Sequence, residues 1–267
     1  MRLVLILVTL VPAPASAQAL VICNIGGPGS TKQARPVLEK FLRHVEKSGG
    51  LKQGSMRGEY HTTLKACQEY VKREKPLFAV FDLATYLSQR EALKLRPLGC
   101  MGSPTGQRYH LLVREGSYKN LAALKGKLLI SSHLGDMRFV SRVIFDGKID
   151  AAKHFKIKAT RRPLKGIRKV ARNKADATLV DRMAYDHLGE LKLPAKLVSI
   201  YRSVGLPGLT LAVVGAAKPD GPTVKKVTSA LPKLCAGPGK SLCKTFQVTA
   251  FSRAKAATFN KLAKRYR

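Results

Sequence analysis

Small, hydroxyl and carboxylate side chains gather at four places where an apolar, strand-like segment passes into a helix-like one. These segments are NIGGPGST at 24–31, DLATY at 82–86, SSHLGD at 131–136 and VDRMAY at 180–185. Ligands of open α/β sheets bind beyond the carboxyl ends of the strands. Helix N-termini there carry unpaired N–H groups and a partial positive charge, so they bind anions without a basic side chain. The four junctions therefore predict a binding site for a small polar or anionic ligand.

Each junction also has a purely structural interpretation. Ser132 or Asp136 is explained by capping of the helix that follows, and the glycines of GGPGS by a turn. Asp82 and Asp181 each end a predicted strand, where a carboxylate either contacts a ligand or makes a local hydrogen bond. Both interpretations stay open at this point.

Several kinds of chemistry lack their signature in this sequence. GGPGSTK is not a P-loop, because its lysine follows the Ser-Thr pair, and it lacks the dinucleotide-binding glycine spacing. The G-x-S-x-G and H-E-x-x-H motifs are absent. The six histidines have no spacing typical of metal ligands. We therefore expect no enzyme activity, no cofactor and no metal.

Strand-like and helix-like blocks alternate along the chain, which is typical of an α/β fold. The predicted strands are ALVICNI, LFAVFD, LRPLGCMG, RYHLLVREG, KLLISS, ADATLVD, KLVSIYRS and LTLAVVG. Apolar residues at helical spacing predict helices between them, including 136–145 and 167–172, and two helical blocks close the chain. LFAVFD is an unbroken apolar run, as expected for a buried parallel strand.

The order of these blocks predicts two lobes. A middle lobe at 106–205 is inserted into a lobe made of 18–105 plus 206–267, and the chain crosses between them near 106–113 and 199–210. Each lobe is expected to hold a mostly parallel sheet flanked by helices.

The first seventeen residues have the pattern of a secretory signal peptide. A short positive start precedes the apolar run 3–11, and Ala15-Ser16-Ala17 supplies the small residues of a cleavage site. No later run reaches the length of about 18 apolar residues that a membrane span needs. We therefore expect an exported chain without a transmembrane segment, in which Cys23 lies in a strand and is not lipidated.

Five cysteines in an exported chain predict disulfides with one thiol left over. Cys235 and Cys243 flank the short, turn-rich AGPGKSL loop and are the first predicted pair. Cys67 with Cys100 is the second, which would leave Cys23 free.

The charge is strongly positive. Forty-nine lysines and arginines face 16 acidic residues, for a net charge of +33, and loss of Arg2 with the predicted signal peptide leaves +32. Such a field attracts polyanions, lipid headgroups or small anions; alternatively, it is a generally cationic, well-solvated surface. The densest runs, 158–174 and 254–267, do not interleave aromatic side chains in the way that a nucleic-acid stacking platform would, and the chain has no tryptophan. We therefore expect no specific binding to nucleic acid.

Two segments resemble the periplasmic solute-binding proteins of phosphate, phosphite and phosphonate ABC transporters. LAALKGKLLISSHLGDMRFVSRVIFDGKID at 121–150 is similar to that family's entry into the second lobe. RKVARNKADATLVDRMAYDHL at 168–188 is similar to a later segment of the same family, in which Ala-Asp-Ala leads to a strand and a ligand-side loop. In SSHLGD, Ser131, Ser132 and Gly135 match the family's Ser/Thr/Gly-rich pattern. His133, Leu134 and Asp136 depart from it.

The resemblance implies a two-lobed, type II periplasmic-binding-protein-like fold that closes on a ligand. It implies a monomer in the periplasm that captures a small, phosphate- or phosphonate-like oxyanion and delivers it to an ABC permease. The ligand-binding positions it implies are Asn24, Ser30, Asp82, Thr85, Tyr86, Ser131, Ser132, His133 and Asp181. The alternative function is a cationic exported interaction module that binds anionic polymers, membrane headgroups or a partner protein.

Overall fold

The structure is a computed structural model that describes residues 17–25, 27, 29–103, 105–160, 162–215, 221–245 and 248–267. The predicted signal peptide, apart from Ala17, lies outside the described residues and stays a prediction. Within the described part of the chain, no helix has the length and apolar character needed to cross a membrane.

Eleven strands and ten α-helices are formed by the described residues. The strands are β1 (Gln18–Cys23), β2 (Met56–His61), β3 (Phe78–Phe81), β4 (Arg96–Met101), β5 (Tyr109–Arg114), β6 (Leu128–Ser131), β7 (Lys156–Ala159), β8 (Thr178–Asp181), β9 (Leu197–Arg202), β10 (Thr210–Val213) and β11 (Phe251–Arg253). The helices are α1 (Thr31–Gly49), α2 (Leu64–Glu74), α3 (Leu83–Gln89), α4 (Met137–Phe139), α5 (Ala151–His154), α6 (Pro163–Ala171), α7 (Arg182–Asp186), α8 (Pro222–Ala230), α9 (Gly239–Thr245) and α10 (Ala256–Tyr266). A π-helical turn, Val140–Ile144, continues α4.

The first lobe, called lobe 1 below, is built on a six-stranded sheet in the order β11-β4-β10-β3-β1-β2. Strands β1, β2 and β3 are parallel, and β4 runs in the same direction, because both β3 and β4 pair antiparallel with β10. Every residue of β3 is buried, as its unbroken apolar run predicts. The sheet is therefore mostly parallel in strand direction, with β10 and β11 reversed.

The second lobe, lobe 2, holds a three-stranded sheet in the order β8-β5-β9 and the strand pair β6-β7. Strands β6 and β7 pair in parallel, and β5 pairs antiparallel with β8 and β9. An isolated parallel bridge joins Leu129 of β6 to Ala177, the residue before β8. The reversed strand β5 enters directly from lobe 1, and this reversal brings its first residue to the edge where β8 ends.

Two chain segments connect the lobes side by side. Gln107 and Leu206 exchange backbone hydrogen bonds of 3.0 and 2.8 Å. Gly205 is required there, since a Cβ at this position would lie 2.5 Å from the Thr105 carbonyl oxygen. The division into 18–105 plus 206–267 and 106–205, with its crossings near 106–113 and 199–210, stays a prediction.

Helix α10 contacts both lobes. On lobe 1, Phe259 packs on Tyr86 of α3 with 5.2 Å between ring centroids. On lobe 2, the Tyr266 hydroxyl donates to Asp136 at 2.8 Å, and Arg265 pairs with Asp146 at 2.7 Å. The C-terminal helix is thus a second structural link between the lobes, distinct from the crossing segments.

One predicted disulfide is present and the other is wrong. Cys235 is bonded to Cys243, as predicted, but Cys67 is bonded to Cys23 and Cys100 is a buried free thiol. Helix α2 packs on β1, which places the Cα atoms of Cys23 and Cys67 5.8 Å apart. Strands β10 and β3 separate β4, which carries Cys100, from β1. The expectation that Cys23 lies in a strand is confirmed.

Candidate functional site

Four polar side chains from the two lobes form one group, which we call the cleft cluster: Asp82, Tyr109, His133 and Asp181. Asp82 follows β3 in lobe 1, and the other three come from lobe 2. Tyr109 opens β5 and is the direct strand partner of Asp181 at the end of β8. His133 lies in the loop after β6. Strand ends of both lobes therefore converge on this group, which takes residues from three of the four predicted junctions.

Asp82 has both a structural and an electrostatic role. Its carboxylate caps α3 by accepting from the Thr85 backbone N–H at 2.9 Å and from the Thr85 hydroxyl at 2.7 Å. Burial raises the pKa of the Asp82 carboxyl, against the Thr85 hydrogen bonds and the nearby His133, which lower it. Asp82 is thus a carboxylate held in a poorly solvated position facing the second lobe.

His133 interacts electrostatically with both carboxylates of the cluster. Its backbone N–H donates to the Ser131 hydroxyl at 3.0 Å, which fixes the start of the loop. Its Nε2 lies 3.9 Å from an Asp181 carboxylate oxygen. The His133 and Asp181 side chains are 25% and 26% exposed to solvent. Burial lowers the pKa of the His133 imidazole, while Asp181 and Asp82 act in the opposite direction. The ring therefore has competing influences on its charge, and the neutral form is favoured relative to an imidazole in water.

Tyr109 is the member of the cluster that sequence reasoning missed. Its ring meets the edge of the His133 ring at a centroid distance of 5.1 Å. Burial raises the pKa of the Tyr109 hydroxyl, and the charges of Asp82 and Asp181 raise it further, so the phenol stays protonated. Only the antiparallel pairing of β5 with β8 brings Tyr109 to this edge, and spacing along the chain carries no signal for that pairing.

Ser131 and Asp136 are engaged within the protein. The buried Ser131 hydroxyl donates to the Leu179 carbonyl oxygen of β8 and accepts from His133. Asp136 caps α4 by accepting from the Phe139 N–H at 2.9 Å, and its other oxygen accepts from Tyr266. Ser131 therefore orders the loop that presents His133, and Asp136 has the capping role that was its structural interpretation. Ser132 is half-buried in the same loop.

Asn24 and Ser30 lie in the loop between β1 and α1. The Asn24 side chain hydrogen-bonds the Tyr60 hydroxyl, and a Cβ on Gly27 would collide with both groups. Ser30 is exposed and caps α1 through the Gln33 N–H at 3.4 Å. The contacts of these two residues are thus with their own loop and with β2 and α1.

Thr85 and Tyr86 follow Asp82 on α3. The buried Thr85 side chain supports Asp82 and so belongs to the cluster indirectly. Tyr86 is fully buried against Phe259 of α10, and burial raises the pKa of its hydroxyl to about 12. The structure therefore places Tyr86 in the core beneath α10, away from the cleft cluster.

The chemistry available at the cluster is hydrogen bonding and charge recognition. Two carboxylates accept from a protonated oxygen or an ammonium group, and Tyr109 and His133 supply N–H and O–H groups for an oxygen-rich ligand. Among the described residues, no three His, Cys, Asp or Glu side chains are grouped so that they could hold a metal ion.

No protein-family model matches the sequence, and no curated protein matches it. The fold is nevertheless similar to solved structures. XAC2383 from Xanthomonas citri bound to ATP has a TM-score of 0.69 at 14% identity, over 94% of this chain and 97% of that one. PhnD1 from Prochlorococcus marinus in complex with methylphosphonate has a TM-score of 0.66 at 13% identity, over 92% and 96%.

A binding protein component of an ABC phosphonate transporter, PA3383 from Pseudomonas aeruginosa, has a TM-score of 0.62 at 14% identity, over 94% of this chain and 88% of that one. At such identities the likeness establishes the fold. It confirms the predicted two-lobed α/β architecture of the type II periplasmic-binding kind. The structural neighbours include phosphonate-transporter binding proteins, the family that the two sequence segments resemble.

Proposed function

We propose that this protein is an exported solute-binding protein that holds a small oxyanionic ligand between its two lobes. One observation carries the proposal: strand ends from separate sheets bring Asp82 of lobe 1 together with Tyr109, His133 and Asp181 of lobe 2. A site split between two lobes couples binding to closure, because the ligand completes contacts that neither lobe makes alone.

The ligand is proposed to be a small oxyanion that also carries a hydrogen-bond donor, either a protonated oxygen or an ammonium group. Two carboxylates in one poorly solvated cluster repel a bare dianion, and such charges are stabilised only when a donor or cation pairs with them. The oxyanion end would accept from His133, Tyr109 and Ser132. The strongly positive chain would favour the approach of anions from solution.

The proposed setting follows from the fold and from the predicted signal peptide. The mature chain works as a monomer in the periplasm, is not an enzyme, and hands its solute to an ABC permease. A solved neighbour that is a binding protein component of an ABC phosphonate transporter supports this setting. The domain boundaries proposed for closure are 18–105 plus 206–267 for lobe 1 and 106–205 for lobe 2.

Isothermal titration of the mature protein tests the proposal. The panel is phosphate, phosphite, methylphosphonate, 2-aminoethylphosphonate, amino acids and ATP, the last because one solved neighbour binds it. We expect saturable binding of at least one small oxyanion with a donor group, and weaker binding of methylphosphonate than of its amine-bearing relative. Failure of a folded protein to bind any member would overturn the proposal.

A further inference from the structure

Lobe 2 has a surface, here called the cationic face, on which basic side chains are not balanced by acidic ones. It consists of α6, the turn after it and the neighbouring strand β7. Its basic residues are Lys156, Lys158, Arg162, Lys165, Arg168, Lys169, Arg172 and Lys174, all exposed except the half-buried Lys169. Acidic residues are absent from 151–175 of the sequence. This face is therefore a local concentration of positive charge on a chain that is already basic.

The register of β7 places its lysines beside α6. Lys156 pairs with Leu128 and Lys158 with Ile130 in the parallel ladder, and paired residues project to the same side of a sheet. Leu128 and Ile130 pack in the core cluster that contains the buried face of α6, Ile167 included. The two β7 lysines and the exposed side of α6 thus share one side of lobe 2.

The charges of the cationic face are uncompensated. Among the residues that the structure describes, none of its eight basic side chains forms an ion pair. The nearest acid along the chain, Asp176, is occupied by the Tyr118 hydroxyl and the Leu128 N–H. Helix α2 of lobe 1 differs, since Arg73 and Lys65 there pair with glutamates. The cationic face therefore presents a field to an external partner.

An apolar side chain lies within this charged surface. Leu164, in the first turn of α6, is 45% exposed between Arg162 and Lys165. Cations that surround an exposed apolar side chain match a lipid interface, where headgroup phosphates meet the acyl region.

We propose that the cationic face docks on an anionic phospholipid membrane, with the basic side chains on the headgroup phosphates and Leu164 at the boundary with the acyl chains. The partner is a lipid surface and not a soluble polyanion, because a polyanion offers no apolar layer for Leu164. The proposal does not depend on any ligand at the cleft cluster.

Co-sedimentation with vesicles tests the proposal on the mature protein. The vesicles are phosphatidylcholine alone, and phosphatidylcholine with about one third phosphatidylglycerol, at about 50 mM and about 500 mM salt. The face variant replaces Lys156, Lys158, Lys165 and Lys174 with glutamine. The control variant replaces four exposed lysines of lobe 1, Lys32, Lys40, Lys225 and Lys240, so that both variants lose the same charge.

We expect the wild-type protein to bind the anionic vesicles at low salt and to be released at high salt. The face variant should lose about 100-fold in vesicle affinity, and the control variant less than about threefold. Equal losses in the two variants would show a global charge effect and overturn the proposal. The proposal would also be overturned if the face variant aggregates but still binds the anionic vesicles. The lysines would then only protect the edge strand β7 from pairing with other chains.

Leu164→Ser separates a membrane from a soluble polymer. It should weaken vesicle binding by about fivefold or more while leaving heparin binding unchanged, because only the bilayer has an apolar layer. Unchanged vesicle binding by Leu164→Ser, or heparin binding without vesicle binding by the wild type, would overturn the lipid assignment. If the fourfold face variant fails to fold, Lys158→Glu against Lys225→Glu gives the same comparison with one substitution, a charge change of −2, in each variant.

Discussion

Replacement of Asp82 by asparagine separates the two roles of this residue. Asparagine caps helices about as well as aspartate, so α3 should keep its start and lose at most a few tenths of a kcal/mol. What disappears is the negative charge that faces His133 from lobe 1. Asp82→Asn is therefore a change of charge with little change of local structure.

The effect on stability has a definite sign. Burial raises the folded-state pKa of Asp82, so the folded chain binds this proton more tightly than the unfolded chain does. The contribution of Asp82 is most favourable below its unfolded pKa and is lost as pH rises through the folded value. Asp82→Asn should remove that loss, so the variant should be more stable than the wild type at neutral pH and similar to it at low pH. If the folded chain binds the Asp82 proton tenfold more tightly than the unfolded chain, the gain in stability is about 1.4 kcal/mol, and each further factor of ten adds the same amount.

The effect on binding has the opposite sign. A hydrogen bond to a charged group contributes about 1.5 to 3 kcal/mol, which is about a 10- to 100-fold loss in affinity when the charge is removed. Thermal unfolding across pH and isothermal titration measure the two effects on one sample. Asp150→Asn is the matched control, since Asp150 caps α5 outside the cleft cluster. Asp82→Asn with unchanged affinity, or with a large loss of stability at neutral pH, would refute this reasoning.

Three further predictions test other parts of the structure. Cys23→Ser should lower the free energy of unfolding by about 3 to 4 kcal/mol, because the bond to Cys67 closes a loop with a sequence separation of 44. A non-reduced peptide digest of the wild-type protein should contain the linked Cys23–Cys67 pair. Tyr266→Phe should cost about 1 to 3 kcal/mol through loss of the Asp136 hydrogen bond, and a denaturation midpoint that does not move would contradict it. His133→Gln should flatten the loss of stability as pH falls below about 6.5, because the lowered folded pKa of His133 opposes protonation in the folded state; equal pH profiles would argue against it.

The sequence predicted eight of the strands, including β9 at a sheet edge, and missed three others that also lie at sheet edges. Strand β3 is apolar throughout and lies inside the lobe 1 sheet. By contrast, β2, β7 and β11 were not predicted, and each lies at the edge of its sheet. An edge strand has neighbours on one side only, so it carries polar side chains and lacks the apolar run that identifies a strand. The four residues of β7 are all exposed, for example.

The candidate site shows the same limit. Asp82, His133 and Asp181 could be selected from sequence, since each follows a predicted strand and the ends of aligned strands meet at one edge of a sheet. Tyr109 could not, because it begins a strand that runs the other way. Cys67 was paired with the wrong partner for a related reason: strand order in space decides which cysteines meet, and that order is not written in sequence spacing.

The central claim is that one ligand contacts both lobes at the cleft cluster. Asp82 and Asp181 come from different lobes, and each caps a helix that asparagine would cap as well. The most direct test is titration of the same small oxyanion into Asp82→Asn, Asp181→Asn and Asp150→Asn. We predict that the first two variants each weaken binding by about tenfold or more and that the third does not. Loss of affinity in only one of Asp82→Asn and Asp181→Asn, or in neither, would contradict a site shared between the two lobes.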